Sequence, residues 1–267
     1  MSSILDQSSS THLQISALSV EIYSSATTLA KAAALSVRNY LHSLLSSQTQ
    51  ASIILATGNS QIEFLHHLTN FSDIPWSKII CFHLDEYLGI KADNPASFRY
   101  YLQHRFAKKV KPQNFNYLQG DALQPIAECE RYRDLLQAQP IDLCLLGIGN
   151  NGHLAFNDPD VADFEDKYVV KLVKLDEKNR QQQFTQGHFS TLAQVPQYAF
   201  TLTLPTICSA KKIICLAPGE SKAQIIKQVL EGEITTRCPA SILRRQSQAT
   251  LFLDRDSSSL SKNLILF

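Results

Sequence analysis

The sequence predicts an α/β fold: a doubly wound, mostly parallel sheet of Rossmann-like layering with helices on both faces. Three observations lead there. From Ala51 onward, short apolar runs alternate with longer segments of helical period; the runs are continuous rather than alternating in polarity; and no repeat, low-complexity linker or shift of composition divides the 267 residues. Continuous Ile/Leu/Val/Cys runs mark strands buried on both faces, the usual place of parallel strands. Helices between such strands cover both sides of one sheet. The chain, 1–267, therefore reads as a single domain, with about residues 1–11 disordered.

The elements follow in order. "LQISALSVEIYSS" reads as a first strand, and "SATTLAKAAALSVRNYLHSLLSS" as a helix rich in the strong formers Ala and Leu. Next come "ASIILAT" and "KIICFHL", strands followed by the helical segments "SQIEFLHHLTNF" and "SFRYYLQHRFAKK". "IDLCLLGIG" and "KKIICLAPG" are two further strands, the second leading into the helix "SKAQIIKQVLEG".

Composition excludes several classes of function. A net charge of +1 gives no broad basic face for nucleic acid and no acidic tail, so a charged ligand must be met by a few placed residues. The six cysteines lie singly in apolar runs without metal-ligand spacing and read as reduced core residues of a cytoplasmic protein. The start lacks the basic and apolar regions of a secretory leader, and no apolar span is long enough to cross a bilayer. No metal, nucleic-acid or membrane partner is expected.

Ligands of open α/β sheets sit beyond the carboxyl ends of the strands, and four of those ends carry unusual residues. "ATGNSQIEF" turns through Thr57, Gly58, Asn59 and Ser60 into a helix, with Ser60 and Glu63 at capping-box spacing. Such a helix start offers free N–H groups to a phosphate, although an ordinary capped turn has the same sequence. "HLDEYLG" places Asp85 and Glu86 just past a strand, where one of them faces the crevice; a partly buried carboxylate there is a candidate base, a helix cap the alternative. In "GIGNNGHLAFNDP", glycines including Gly149 permit close approach to a ligand. His153 follows Asn151 in that loop, and Asp158 is near enough to orient its imidazole. "APGESKAQ" puts Lys222 in the first turn of a helix, where the dipole disfavours a cation unless an anion is bound. Together these are an anion cradle, a base, an acid/base histidine and a cation: the parts needed for proton transfer on a small phosphorylated substrate.

"FHLDEYLG", "GIGNNGHLAFNDP", "VPQYAFTLTLPTI" and "GESKA", in this order, resemble the glucosamine-6-phosphate deaminase (isomerase) family, a relative of the 6-phosphogluconolactonases. The resemblance covers about residues 20–254. It implies a Rossmann-like α/β domain that converts glucosamine 6-phosphate to fructose 6-phosphate and ammonia without metal or organic cofactor. It implies that Asp85 is the base moving a proton between the amine-bearing carbon and the neighbouring carbonyl carbon. His153 would open the sugar ring, supported by Asp158 and Asn151. Thr57, Gly58, Asn59, Ser60 and Lys222 would hold the phosphate, with Glu86 and Gly149 also lining the substrate. Both monomers and hexamers occur in the family, which leaves a homo-oligomer open.

The chain departs from the family pattern at three places. Asn151 stands where the well-studied bacterial enzymes carry Asp. Asp158 replaces Glu and is one methylene shorter, which is expected to break direct contact with His153 unless the backbone shifts or a water bridges. Gln183 is aligned with a phosphate-binding arginine, a neutral amide in place of a charged fork, with Arg180 as a potential substitute. A lactonase, with a "DGHTASLFP"-type loop in place of "NGHLAFNDP", and a non-catalytic sugar-phosphate sensor are the alternatives.

Overall fold

The structure, a computed structural model, describes residues 10–185, 187 and 189–261. Most of the expected disordered start lies outside these residues, but Thr11 already pairs with Ile22. The segment expected as one strand is a hairpin: β1 (Thr11–Ile15) and β2 (Leu18–Tyr23) run antiparallel. Ser16 turns between them at φ 55°. The remaining strands are β3 (Ala51–Leu55), β4 (Ile79–His83), β5 (Asp85–Tyr87), β6 (Asn114–Phe115), β7 (Leu143–Gly147), β8 (Val170–Lys174), β9 (Tyr198–Leu202), β10 (Lys212–Leu216) and β11 (Ala249–Asp254).

Eight of them form one sheet in the order β1-β2-β11-β10-β7-β3-β4-β6, parallel throughout except at the β1 edge. This is the predicted layering. From β3 the chain moves outward through β4 to β6, and from β7 it moves the other way through β10 and β11. The reversal falls between β3 and β7, so the crevice of a doubly wound sheet opens there.

Burial explains why the strands form. All five residues of β3 and all six of β11 are buried, and in β7 only Gly147 is partly exposed, so these strands have no solvent face to alternate. The helix Ala26–Ser47 starts at Ser25, whose hydroxyl and that of Thr28 form a reciprocal capping box. Its buried residues Leu29, Ala30, Ala33, Ala34, Val37 and Leu41 recur at helical spacing and join the Ile53, Leu55, Leu143 and Leu145 face of the sheet. The opposite face packs Ile54, Cys144, Leu146 and Cys215 against Ile226, Val229 and Leu230 of the helix Ala223–Glu231. Burying a Leu or Ile side chain is worth about 1.5–3 kcal/mol.

A second sheet was not anticipated: β5-β9-β8, antiparallel. It joins the large sheet through one residue, because only Leu84 separates β4 from β5. The Leu84 N–H donates to the Leu55 carbonyl of β3, and the Leu84 carbonyl accepts from the Leu202 N–H of β9. Among the described residues no helix is long and apolar enough to cross a membrane. The six cysteines are free.

Candidate active site

Because β10, β7, β3 and β4 are consecutive neighbours and parallel, their carboxyl ends lie side by side. The four motifs read from the sequence follow those four ends. The sheet thus converges segments that are distant in the chain.

The turn after β3 differs in detail from the expectation. The helix Asn59–Thr69 starts two residues earlier than a Ser60 cap requires, and the N-cap is Gly58 at φ 98°, without a side-chain cap. Ser60 and Glu63 therefore form no capping box, and the first-turn N–H groups face the crevice without a side-chain acceptor from the cap. Thr57, Gly58 and Ser60 are partly exposed and Asn59 fully so, which leaves the turn open to an anion. The Tyr101 hydroxyl donates to the Gly58 carbonyl at 2.9 Å and holds the turn from behind. Gly147 fits this turn closely, since a Cβ there would lie 2.9 Å from the Ser60 Oγ.

The two adjacent acids have different roles. Glu86 is fully buried and its carboxylate accepts from the Ser97 hydroxyl at 2.7 Å and from the N–H groups of Tyr87, Phe98 and Arg99 at 3.0, 3.1 and 2.9 Å. Its oxygens are engaged in anchoring the helix Phe98–Leu102, so Glu86 does not line the substrate as expected. Burial pushes its pKa up against the pull of those donors. Asp85 points to the other face of β5. It is 7 % exposed, and among the described residues its carboxylate has no hydrogen bond or ion pair. Burial first, and the Glu86 charge second, raise its pKa well above the usual carboxylate range.

The direction of Asp85 follows from its neighbours. It pairs with Thr201 of β9, and paired residues project to the same face of a sheet. Thr201 Oγ1 accepts from the Phe156 N–H at 3.1 Å, and the Tyr87 ring, on the same face as Asp85, packs 5.2 Å from Phe156. Asp85 is thereby turned toward the loop that carries His153. His83, two residues before it, fixes the strand: its N–H donates to the Tyr132 hydroxyl, and its Nε2 accepts from the Leu118 N–H. Burial lowers the His83 pKa to about 3, so it is a neutral strut.

The loop after β7 is folded tightly on itself. The Gly149 N–H donates to the His153 carbonyl, the Gly152 N–H to the Gly149 carbonyl, and Gly152 sits at φ 85°. The His153 ring lies against Gly149, where a Cβ would approach Cε1 to 2.1 Å. His153 Nδ1 faces two acceptors, Asn151 Oδ1 at 2.7 Å and Asp158 Oδ1 at 3.0 Å. Asn151 Nδ2 donates to Asp158 Oδ1 at 2.8 Å, which fixes the amide with its oxygen toward the ring. Nδ1 therefore carries the proton, and Nε2 is left for chemistry.

The shorter Asp158 does reach His153, by the backbone route that the expectation left open. Ala155 turns at φ 53°, and Asn157 Nδ2 donates to the carbonyls of Leu154 and Leu202, so the backbone curls back and supplies the missing length. Arg180 does not compensate for Gln183: its guanidinium donates to the carbonyls of Leu192 and Val195. Lys222 ends a 3₁₀ turn, Glu220–Lys222, that leads into the helix Ala223–Glu231, and its Nζ donates to Asn150 Oδ1 at 2.6 Å. Burial lowers its pKa to about 8. One contributor was missed from the sequence, Thr201, which aims β5 at the loop; Gly147, one of the loop glycines read as permitting close approach, admits Ser60. Thr201 lies inside a quoted motif, but its role depends on strand register. Among the described residues no group of three or more His, Cys, Asp or Glu side chains is placed to hold a metal.

Residues 24–252 match the family described as glucosamine-6-phosphate isomerases/6-phosphogluconolactonase. The chain belongs to this family. Curated relatives of this isomerase/lactonase family include a glucosamine-6-phosphate deaminase of Thermoanaerobacter sp. (strain X514), 36 % identical over 214 residues, 77 % of this chain and 82 % of the relative. Another, from Clostridium acetobutylicum, is 37 % identical over 212 residues, 77 % of this chain and 86 % of the relative. Among solved structures, that of a monomeric glucosamine-6-phosphate deaminase superposes with a TM-score of 0.82 at 31 % identity, covering 90 % of this chain and 99 % of its own. A 6-phosphogluconolactonase from Thermotoga maritima shares the fold, with a TM-score of 0.72 at 18 % identity over 88 % of this chain and 98 % of its own.

Proposed function

We propose that this enzyme converts glucosamine 6-phosphate to fructose 6-phosphate and ammonia. The observation that carries the reading is the contrast at β5, where Glu86 is saturated with donors and Asp85, its neighbour, is buried and has no hydrogen bond or ion pair among the described residues. A carboxyl with a raised pKa is a stronger base when ionised than an ordinary carboxylate, suited to a carbon-bound proton.

In this reading the phosphate rests on the Thr57–Ser60 turn and Lys222. Nε2 of His153 takes the proton of the anomeric hydroxyl, the resulting imidazolium is stabilised through Nδ1 by Asp158 and Asn151, and the same proton is then given to the ring oxygen as the ring opens. Asp85 takes the proton from the amine-bearing carbon and returns it to the adjacent former carbonyl carbon. Water then adds at the amine-bearing carbon, and ammonia leaves. Asp85 serves both proton movements because one unpaired carboxylate on a rigid strand can reach neighbouring carbons.

The test is incubation with glucosamine 6-phosphate, following ammonia and fructose 6-phosphate together. Both products should appear in equal amounts, and Asp85→Asn should abolish turnover while leaving sugar-phosphate binding intact. Rapid hydrolysis of 6-phosphogluconolactone with the amino sugar untouched would assign the chain to lactonase chemistry, and binding without turnover of either would make it a sensor.

A further inference from the structure

We propose that Asn150 is a positioning residue that holds the Lys222 ammonium at a fixed height over the crevice and so sets the register between the phosphate and the His153 end of the substrate. The inference rests on the reading of Lys222 as a phosphate-binding cation.

Lys222 is half-buried, and its one hydrogen bond among the described residues runs to the Asn150 Oδ1 at 2.6 Å, across 72 positions of sequence. No carboxylate among the described residues pairs with it there. A long ammonium side chain carries about 2 kcal/mol of rotamer entropy, so without a tether it samples many positions and binds an anion less well. An amide oxygen restrains the ammonium through its dipole and leaves the charge available. A carboxylate would restrain it too, but would neutralise it toward phosphate.

Both ends of the tether are anchored. The Lys222 turn is opened by Gly219 at φ 91°, whose N–H donates to both oxygens of the Asp254 carboxylate. On the other side, the Gly152 carbonyl accepts from the Ala240 N–H at 2.8 Å, and the Gly149 N–H donates to the His153 carbonyl. Asn150 projects from this fixed loop, and the next residue, Asn151, orients His153. Two consecutive amides thus hold the cation at one end of the crevice and the imidazole further along. A sugar phosphate engaging Lys222 in this position presents its ring to His153 without a further search.

The experiment measures kcat and KM for glucosamine 6-phosphate, and competitive inhibition by inorganic phosphate, in Asn150→Ala, Asn150→Asp and Lys222→Ala, with melting temperature as the folding control. Asn150→Ala should weaken inorganic phosphate and raise KM roughly 10- to 100-fold, the loss of one hydrogen bond to a charged group, while kcat changes less. Asn150→Asp should keep the tether yet weaken phosphate further, because its charge opposes the anion. Unchanged phosphate inhibition in Asn150→Ala, with inhibition lost in Lys222→Ala, would overturn the positioning role and leave Lys222 as the phosphate cation. Unchanged inhibition in both would remove the Lys222 reading itself and the proposal with it. A fall in kcat and melting temperature without a change in phosphate inhibition would make Asn150 a structural residue only.

Discussion

Gly149→Ala isolates the placement of the His153 ring. Gly149 does not occupy the positive-φ region, so alanine causes no backbone strain there. The added methyl would stand 2.1, 2.2 and 2.4 Å from Cε1, Nε2 and Cδ2 of His153. Ordinary contact begins at about 3.4 Å, so the ring must retreat by more than 1 Å. It cannot swing away freely, because Nδ1 is held by Asn151 and Asp158, and a hydrogen bond to a charged group is worth about 1.5–3 kcal/mol. A 1 Å misplacement of a reacting group costs on the order of 100-fold, or about 2.7 kcal/mol in the barrier. We expect kcat for ammonia release to fall about 100-fold, with inorganic phosphate binding unchanged because the Thr57–Ser60 turn is untouched. A Gly149→Ala enzyme that retains kcat within about threefold, with the ring shown to be displaced, would refute the assignment of His153 as the ring-opening group.

Four further outcomes are expected. Asp85 has a pKa raised above its unfolded value of about 3.9, so stability is lost as pH rises from there through the folded value; Asp85→Asn should raise the melting temperature at neutral pH, with the gain gone below about pH 4. The same raised pKa should place the acidic limb of kcat/KM well above the ordinary carboxylate range, measured as a pH–rate profile. Asp158→Asn removes the charge beside Nδ1 and should lower kcat about 10- to 100-fold with little change in phosphate inhibition. Glu86→Gln turns an acceptor into a donor facing Ser97, Phe98 and Arg99; denaturant unfolding should show a loss of about 2–4 kcal/mol.

The large sheet was legible because β3, β4, β7 and β10 are nearly continuous apolar runs, and this also placed the motifs at the strand ends. The small sheet was not. β5 has three residues, "VKLVK" of β8 alternates like an exposed segment, and their pairing through β9 joins positions far apart in the chain. Without that register nothing tells which of Asp85 and Glu86 faces inward. The Ser60–Glu63 box failed because Gly58 can adopt the positive φ that starts the helix two residues sooner. For Asp158 the sequence left two routes open, a backbone shift or a bridging water, and the direct contact with His153 beside the turn at Ala155 is the first of them.

Leu84, the single residue between β4 and β5, makes the site a joint between two separately built parts. The phosphate turn and the histidine loop belong to the large sheet, and the candidate base belongs to the small one. A scaffold divided in this way can exchange its chemistry by redecorating three short antiparallel strands while the grip on the phosphorylated end is inherited unchanged. It also gives protein engineers a boundary: substitutions along β5, β8 and β9 should redirect which carbon reacts, and those beyond β3 and β10 should govern which substrates are held.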